Sequence, residues 1–263
     1  MSATITRPLP SAVTYHIATS PQPSRTPSSV PLKSTIHLPQ SSTWSSGLHF
    51  HATHTEYLRL VQGAVFVRLG PTVQILSVKK GEEAVVVTVP RYARHEWGRA
   101  EEWIRKNWTG SVGPGMKVEE LDEEVIVEEW TDPIDIDKAL FFWNLNGVIA
   151  PTPGTQSRPE SALFRVARWL LGSWWIDFQL LVIFWELDNY PVLFELVPLL
   201  GREGGGVLEW FEYAVEYLVT YGVLFVASLV GRLVGVEAVR EERTPEALWK
   251  VWRERKEGGK KTA

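Results

Sequence analysis

Four residues in the first half of the chain have the types and spacing of a metal site. His49 and His51 are two residues apart in the segment GLHFHATHTEYLRLVQG, so on a β-strand both imidazoles project from the same face. Glu56 follows in the same segment, and His95 lies further along the chain in PRYARHEWG. Three imidazoles and one carboxylate form a compact ligand set for a divalent first-row metal ion. We therefore predict that these four side chains hold one such ion.

The chain contains no cysteine, which narrows the choice of metal ion. Without thiolate ligands, the candidate ions are Fe(II), Mn, Ni, Cu and Zn. Ligands that occupy one side of an octahedral ion leave its other positions open for water, substrate or O₂. An ion bound in this way activates O₂, acts as a Lewis acid on an enol or a carbonyl group, or ionises a bound water. The residues by themselves leave the choice among these reactions open.

The segments that carry the four residues alternate in polarity as β-strands do. The run EYLRLVQGAVFVRLG alternates on both sides of Gly63, which predicts a β-hairpin with its turn at that glycine. Glu56 shares a strand face with Leu58 and Leu60, and we assign this face to the interior. Several short strands at this spacing indicate a sandwich or a small barrel. Three further strands are predicted in EEAVVVTVP, VIVEEWT and ALFFWNL.

Changes in composition divide the chain into four segments. The first is rich in Ser, Thr and Pro and predicts an extended or disordered arm. The alternating strands follow, and the linker PTPGTQSRPE separates them from a hydrophobic extension with helical periodicity. The predicted boundaries are 1–33 for the arm, 34–150 for the barrel, 151–160 for the linker and 161–263 for the helical extension.

The spacing of the ligand residues resembles that of the cupin superfamily. Its first motif continues from an H-x-H pair through four residues to Glu and six more to Gly, as in the run from His49 through Glu56 to Gly63. The position of the leading glycine differs from that motif, because Gly47 stands only two residues before His49. The resemblance covers about residues 34–149.

The second cupin motif is present with two departures. Pro90, Tyr92 and His95 occupy its proline, glycine and histidine places. Tyr92 replaces the usual glycine, and Arg99 stands where an asparagine is expected. These departures affect turn geometry and the surroundings of the site, but they leave the ligands intact.

The resemblance implies a mainly β fold, a cupin (double-stranded β-helix or jelly-roll) barrel, with a C-terminal α-helical apolar extension. The chain also resembles single-domain cupins of fungal-type natural-product pathways. Our first hypothesis is therefore a metal-dependent oxidoreductase of dioxygenase type, with Fe(II) as the favoured ion and a small aromatic or polyketide-like substrate. The alternatives are a non-redox isomerase or cyclase and a ligand-binding protein without turnover. No catalytic residue beyond the metal ligands is assigned.

Five further residues are candidates for the substrate pocket or its rim. Four of them are aromatic residues of the predicted strands and turns, and each has ordinary barrel packing as an alternative role. The histidine among them either reaches the metal or the substrate or lies in a loop at the rim of the barrel. The five candidates are His54, Tyr57, Phe66, Tyr92 and Trp97.

The apolar extension either contacts a membrane or packs as a helical hairpin on the barrel or on a second copy in a homodimer. The run 169–185 carries only Asp177 as a charge, and Arg165 and Arg168 flank one of its ends. The run 218–231 is uncharged, but its 14 residues fall short of the roughly 20 needed to span a bilayer. Tryptophan is abundant at both ends of the first run, as in an interfacial belt.

Charge and the first residues limit the other partners and the location. The net charge of −4 offers no electrostatic footprint for nucleic acid, so we expect a small-molecule substrate and no nucleic-acid partner. The opening run MSATITRPLPSAVTYH contains no apolar leader. We expect an intracellular protein, cytoplasmic or membrane-associated, that is not secreted.

Overall fold

The computed structural model describes residues 2–21, 31–107, 121, 123–150, 161–196 and 207–261. The strands are β1 (Ser2–Arg7), β2 (Val13–Ala18), β3 (Ser34–Leu38), β4 (His49–Phe50), β5 (Thr55–Leu69), β6 (Thr72–Val78), β7 (Val85–Val89), β8 (His95–Arg99), β9 (Val125–Asp132) and β10 (Tyr190–Pro191). The helices are α1 (Ala100–Asn107), α2 (Asp137–Ile149), α3 (Ala162–Leu171), α4 (Trp175–Glu186), α5 (Val207–Val234) and α6 (Glu246–Lys261).

All strand pairs are antiparallel, and β5 belongs to two sheets. Its first half pairs with β7 and β9, and β9 continues through β3 and β2 to β1. Its second half pairs with β6 and β8, and β8 continues through β4 to β10. Inward side chains of both sheets form one apolar core, which includes Ile36, Leu58, Val67 and Val127. The antiparallel β architecture and the C-terminal helices are as predicted, and the strands in EEAVVVTVP and VIVEEWT are confirmed as β7 and β9.

The predicted hairpin at Gly63 is wrong, because β5 continues through this residue. A register shift lies between Leu60 and Gln62. Before it the even-numbered side chains face the core, and after it the odd-numbered ones do, so one bent strand shows the sequence pattern of two separate strands. Gly63 has φ 89°, and a Cβ there would lie 2.6 Å from the carbonyl oxygen of Glu124. Glycine is therefore required where β5 passes between the sheets, and the hairpin turn lies after Leu69, between β5 and β6.

The predicted arm over residues 1–33 is wrong for its first half. β1 and β2 pair with each other, and β2 pairs with β3 at the edge of the first sheet. Val13, Tyr15 and Ile17 of β2 alternate inward and are buried. Ser, Thr and Pro dominate the composition of this segment, so the short alternating pattern of β2 is easily overlooked. This strand becomes stable because it pairs with β3. Residues 22–30 lie outside the described part of the chain.

The strand predicted in ALFFWNL is wrong, because these residues belong to helix α2. A short apolar run buried on several sides has the same composition in a strand and in a helix. Leu140, Phe141 and Phe142 are consecutive and all buried, since α2 packs between β2 and α4. This difference matters for function, because α2 brings Lys138 into the interior.

The helical extension is confirmed over the described residues, and it is joined to the barrel rather than separate from it. α4 packs on α2 and on α5, and the chain turns after α4 at Asp188, which has φ 52°. It then enters β10, which pairs with β4. Two segments, 162–186 and 213–234, have the length and composition of membrane-crossing helices. The predicted linker at 151–160 lies outside the described residues.

Candidate metal centre

The structure brings the four predicted ligand residues together in the interior. His49 lies on β4 directly opposite His95 of β8, His51 follows β4, and Glu56 lies near the start of β5. All four side chains are buried. One ligand atom from each lies within 4.8 Å of the other three. Four residues from three strands and one loop therefore form a single cluster.

Backbone carbonyl groups orient the three imidazole rings. The Nδ1 atom of His49 donates to the carbonyl oxygen of Gly47 at 2.8 Å, and that of His95 donates to Ala93 at 3.0 Å. The Nδ1 atom of His51 donates to the carbonyl oxygen of Asp188. Because a carbonyl oxygen only accepts, each Nδ1 carries the proton, and Nε2 is left with a lone pair. Carbonyl groups orient metal-binding histidines in the same way.

The unsatisfied atoms in the cluster fit a cation. The Nε2 atom of His51 is buried and has no hydrogen-bond partner among the described residues, since the carboxylate of Glu56 is 3.5 Å away. The Nε2 atom of His95 lies 2.7 Å from a carboxylate oxygen of Glu56, so either a proton or a metal ion must lie between these two atoms. Two ligands of one such ion lie at most about 4.4 Å apart. A contraction of a few tenths of an ångström would therefore let the four residues share one ion.

The pKa values of His49 and Glu56 are shifted in the directions that favour cation binding. Burial lowers the pKa of His49 well below its usual value, and the neighbouring His95 and His51 lower it further. Burial alone would raise the pKa of Glu56, but the charges of Lys138 and His51 and the hydrogen bonds with His51 and His95 together outweigh it and hold that pKa well below its usual range. A neutral imidazole and an ionised carboxylate are the forms that bind metal.

Lys138 is a functional residue that the sequence analysis missed. Its ammonium group contacts one carboxylate oxygen of Glu56 and lies 2.9 Å from Glu129. Glu129 in turn accepts a hydrogen bond from the indole of Trp97 at 2.8 Å. Because Lys138 binds one oxygen of Glu56, the other oxygen faces the imidazoles. The sequence predicts a strand where α2 lies, so it gives no reason to place Lys138 in the interior. No local spacing in the sequence connects Lys138 with Glu56.

A cavity of about 380 Å³ opens beside the cluster. His49, Glu129 and Lys138 belong to its polar wall, close to the converging imidazoles, and Arg7, Asn189 and three serines line it as well. Burial raises the pKa of Tyr15, another residue of the wall, to about 12, so this phenol stays protonated. A cavity volume of this size is typical of small-molecule sites. Most of the remaining wall is apolar or aromatic and includes Trp44, Phe141, Phe142, Leu145 and Phe184.

His54 belongs to a different cluster behind the metal-ligand residues. Its Nδ1 atom lies 2.6 Å from the carboxylate of Asp188, and its Nε2 atom lies 3.0 Å from Asp135. Burial alone would lower the pKa of His54, but the hydrogen bonds with Asp135 and Asp188 outweigh it and raise that pKa to about 9. His54 is therefore a buried cation, and it lines a small void next to His51 rather than the large cavity.

The other predicted pocket residues do not border the cavity. Tyr57 lies on the face of β5 opposite to Glu56 and stacks on Trp130, and Phe66 packs against Trp103 of α1. The parity shift within β5 explains the error for Phe66, because it reverses which residues face inward.

Tyr92 and Trp97 have different positions. Tyr92 has φ 63° and lies on the outside near Phe50, so it keeps the backbone shape of the glycine that it replaces. Trp97 is buried and reaches the site indirectly, through its hydrogen bond with Glu129. Arg99 is buried and donates to the carbonyl oxygens of Pro39 and Glu123, so it supports the strand ends.

No protein-family model matches this chain, and no curated protein is similar to it. The similar solved structures include a cupin-2 domain from Rhodospirillum rubrum (15% identity, 49% of this chain, 68% of that chain, TM-score 0.31). A cupin 2 conserved barrel domain protein from Rhodopseudomonas palustris is also similar (14% identity, 51% of this chain, 74% of that chain, TM-score 0.31). The capsular polysaccharide assembling protein CapF from Staphylococcus aureus matches as well (16% identity, 49% of this chain, 30% of that chain, TM-score 0.30). This chain spans less than a third of CapF.

Proposed function

We propose that this protein is a metal-dependent enzyme, an oxidoreductase of dioxygenase type, that acts on a small aromatic or polyketide-like molecule. The observation that supports it is a cluster of three oriented imidazoles and one carboxylate that borders an aromatic cavity. His49, His51, Glu56 and His95 would hold the ion, and Fe(II) is the ion that we favour. Such an ion, with positions left open by its four protein ligands, supplies O₂ activation or Lewis-acid chemistry.

The residues of the chain itself would bind and orient the substrate. Flat aromatic walls favour a flat, largely apolar substrate, and aromatic side chains such as Phe141 and Phe142 stack on it. The guanidinium group of Arg7 borders the same cavity, so it favours a substrate with a phenolate, enolate or carboxylate group. Arg7 also donates to the hydroxyl of Tyr15, which ties it to the cavity wall.

A specific pair of residues favours a second candidate function, a non-redox isomerase or cyclase. Glu129 and Lys138 both border the cavity and lie 2.9 Å apart. Burial raises the pKa of Glu129, so this carboxylate can accept a proton from one position of a bound substrate and return it to another, while the ammonium group of Lys138 keeps its proton and stabilises the anion in between. This reaction needs no O₂, which separates it from the first candidate.

The test follows the fate of O₂ and of a probe substrate. The full chain is loaded with Fe(II) without air and mixed with a set of small phenols and β-diketones, and O₂ uptake and product mass are measured. The proposal expects O₂ uptake matched by a product that contains added oxygen.

The matched control separates the site from general effects of histidine loss. His51→Ala should abolish turnover, whereas His37→Ala, on β3 away from the cluster, should leave it unchanged. A product of unchanged mass without O₂ uptake would establish the isomerase instead. Tight binding of a probe without any product would contradict both enzymes.

A further inference from the structure

Helix α5 has its polar and apolar sides reversed relative to a helix of a water-soluble domain. Glu216, Thr220 and Ser228 are buried. Leu218 and Leu233, in contrast, are 72% and 76% exposed. A surface helix of a soluble domain turns its apolar stripe inward and its polar residues outward. The same outer side of α5 also exposes Val223, Phe225, Val226, Leu229 and Val230.

The buried polar residues of α5 attach it to the barrel. Glu216 forms an ion pair with Arg94 and accepts a hydrogen bond from the backbone nitrogen of Leu196 at 2.6 Å. The hydroxyl of Thr220 donates to the carbonyl oxygen of Pro191 at 3.3 Å. These bonds determine which side of α5 faces the protein, so the apolar side is left outside.

A second set of exposed apolar residues lies on α3 and the start of α4. Trp169 and Trp174 are 79% and 70% exposed, although Phe164 and Trp175 nearby are buried. α3 and α4 both contact α5, so the two sets belong to one layer of helices. Exposed apolar surface on this scale marks an interaction site. The remaining members of this set are Leu163, Val166, Leu170 and Ile176.

We propose that this helical layer docks on a lipid bilayer and lies in its interface. The lipid-facing surface consists of the exposed apolar residues of α3, of the turn at residues 172–174, of the first turn of α4 and of α5 from Leu218 to Leu233. The opposite side of the layer packs on the barrel and on α2. Lipid therefore cannot surround α4 and α5 on all sides, as it would surround a membrane-spanning helix, and the layer lies in the bilayer surface instead.

Charge and tryptophan favour a bilayer over a second copy of the chain. Arg165 and Arg232 are exposed within this surface, where they would meet lipid phosphates, and Asp177 is the acidic residue in the segment 161–185. Exposed tryptophans next to arginines are typical of the headgroup region. In a symmetric dimer, the same arginines would have to be buried against apolar side chains, which is costly. We therefore expect stronger binding to anionic than to neutral vesicles.

The test is vesicle flotation with the full chain. Protein purified in detergent is mixed with vesicles of phosphatidylcholine, with or without phosphatidylserine, and the detergent is removed before flotation. The wild-type chain should float with both and more with phosphatidylserine. The variant Trp169→Glu/Leu218→Glu/Leu233→Glu should lower the bound fraction about tenfold, because three charges replace lipid-contacting side chains.

A matched control carries the same charges on exposed apolar residues elsewhere, in the variant Leu9→Glu/Val86→Glu/Ile134→Glu. This control should float like the wild type. A second measurement avoids charge altogether: lipids brominated on their acyl chains should quench wild-type tryptophan fluorescence, and Trp169→Phe/Trp174→Phe should reduce the quenched part. Absence of flotation and of quenching would overturn the proposal. A wild-type dimer that the first variant converts to a monomer, without vesicle binding, would assign the surface to a second copy.

Discussion

Two clusters with buried histidines, one with three and one with a single histidine, lie next to each other in this protein and have opposite chemistry. In the metal-ligand cluster, the Nδ1 atoms of His49, His51 and His95 donate to backbone carbonyl oxygens, so the Nε2 lone pairs converge. In the second group, both ring nitrogens of His54 contact carboxylates, those of Asp188 and Asp135. Burial and the neighbouring rings lower the pKa of His49 in the first arrangement, whereas the two carboxylates raise the pKa of His54 to about 9 in the second.

Both kinds of histidine are buried, so the groups that the ring nitrogens contact, and not the burial of the ring, decide whether a histidine can bind metal. His54, Asp135 and Asp137 lie close enough together to share an ion. However, a ring that is protonated on both nitrogens has no lone pair to offer. Asp188 also accepts hydrogen bonds from the backbone nitrogens of Ala52 and Thr53. The second group therefore fastens the loop between β4 and β5 to the turn after α4.

The largest expected effect is loss of the bound ion. His49→Ala/His95→Ala should reduce the metal content from about one ion per chain to background, because it removes two of four ligands. His54→Ala should keep the ion, since His54 is no ligand. Elemental analysis of the purified chains measures both. An unchanged metal content in the double variant, or its loss in His54→Ala alone, would contradict the distinction between the two groups.

A large loss of stability is expected from Lys138→Met. Lys138 is the cation between the buried carboxylates of Glu56 and Glu129, and its removal leaves two like charges unpaired. The free energy of unfolding of the chelator-treated chain should fall by about 3–5 kcal/mol in urea titrations. Lys138→Met/Glu129→Gln should recover part of that loss because it also removes one charge. A loss below about 1 kcal/mol would show that Lys138 does not balance the site.

A smaller effect is expected from pH. The pKa of His54 in the folded chain, about 9, lies above the usual 6.5 of an unfolded chain. Its contribution to stability is therefore complete below about pH 6.5 and is lost as the pH rises through 9. We expect a loss of about 1–2 kcal/mol in urea titrations across this range, because Asp135 is partly exposed and water screens the pair. His54→Gln should flatten this part of the profile, and an equally steep profile in that variant would refute the assignment.

The sequence analysis located the ligands because their signal is local. His49, His51 and Glu56 lie within one short segment, and the period of two in a strand predicts that His49 and His51 share one face. The sequence also marks Gly63 as a break in the alternation, but it does not show what kind of break this is. A bend within one strand and a turn between two strands produce the same break in alternation. Only the pairing of β5 with strands of both sheets distinguishes them.

Ligand types, strand alternation and the apolar helices of the tail are thus properties that the amino-acid sequence alone determined, since each depends on neighbours within a few residues. The tertiary structure decided the rest. Lys138 is 82 residues from Glu56, and Asp188 is 134 residues from His54, so nothing in their local sequence connects the members of each pair. The exposure of Leu218 and the burial of Glu216 also depend on which side of α5 meets the barrel. Hydrogen bonds and ion pairs between distant segments make that choice, and they exist only after the chain has folded.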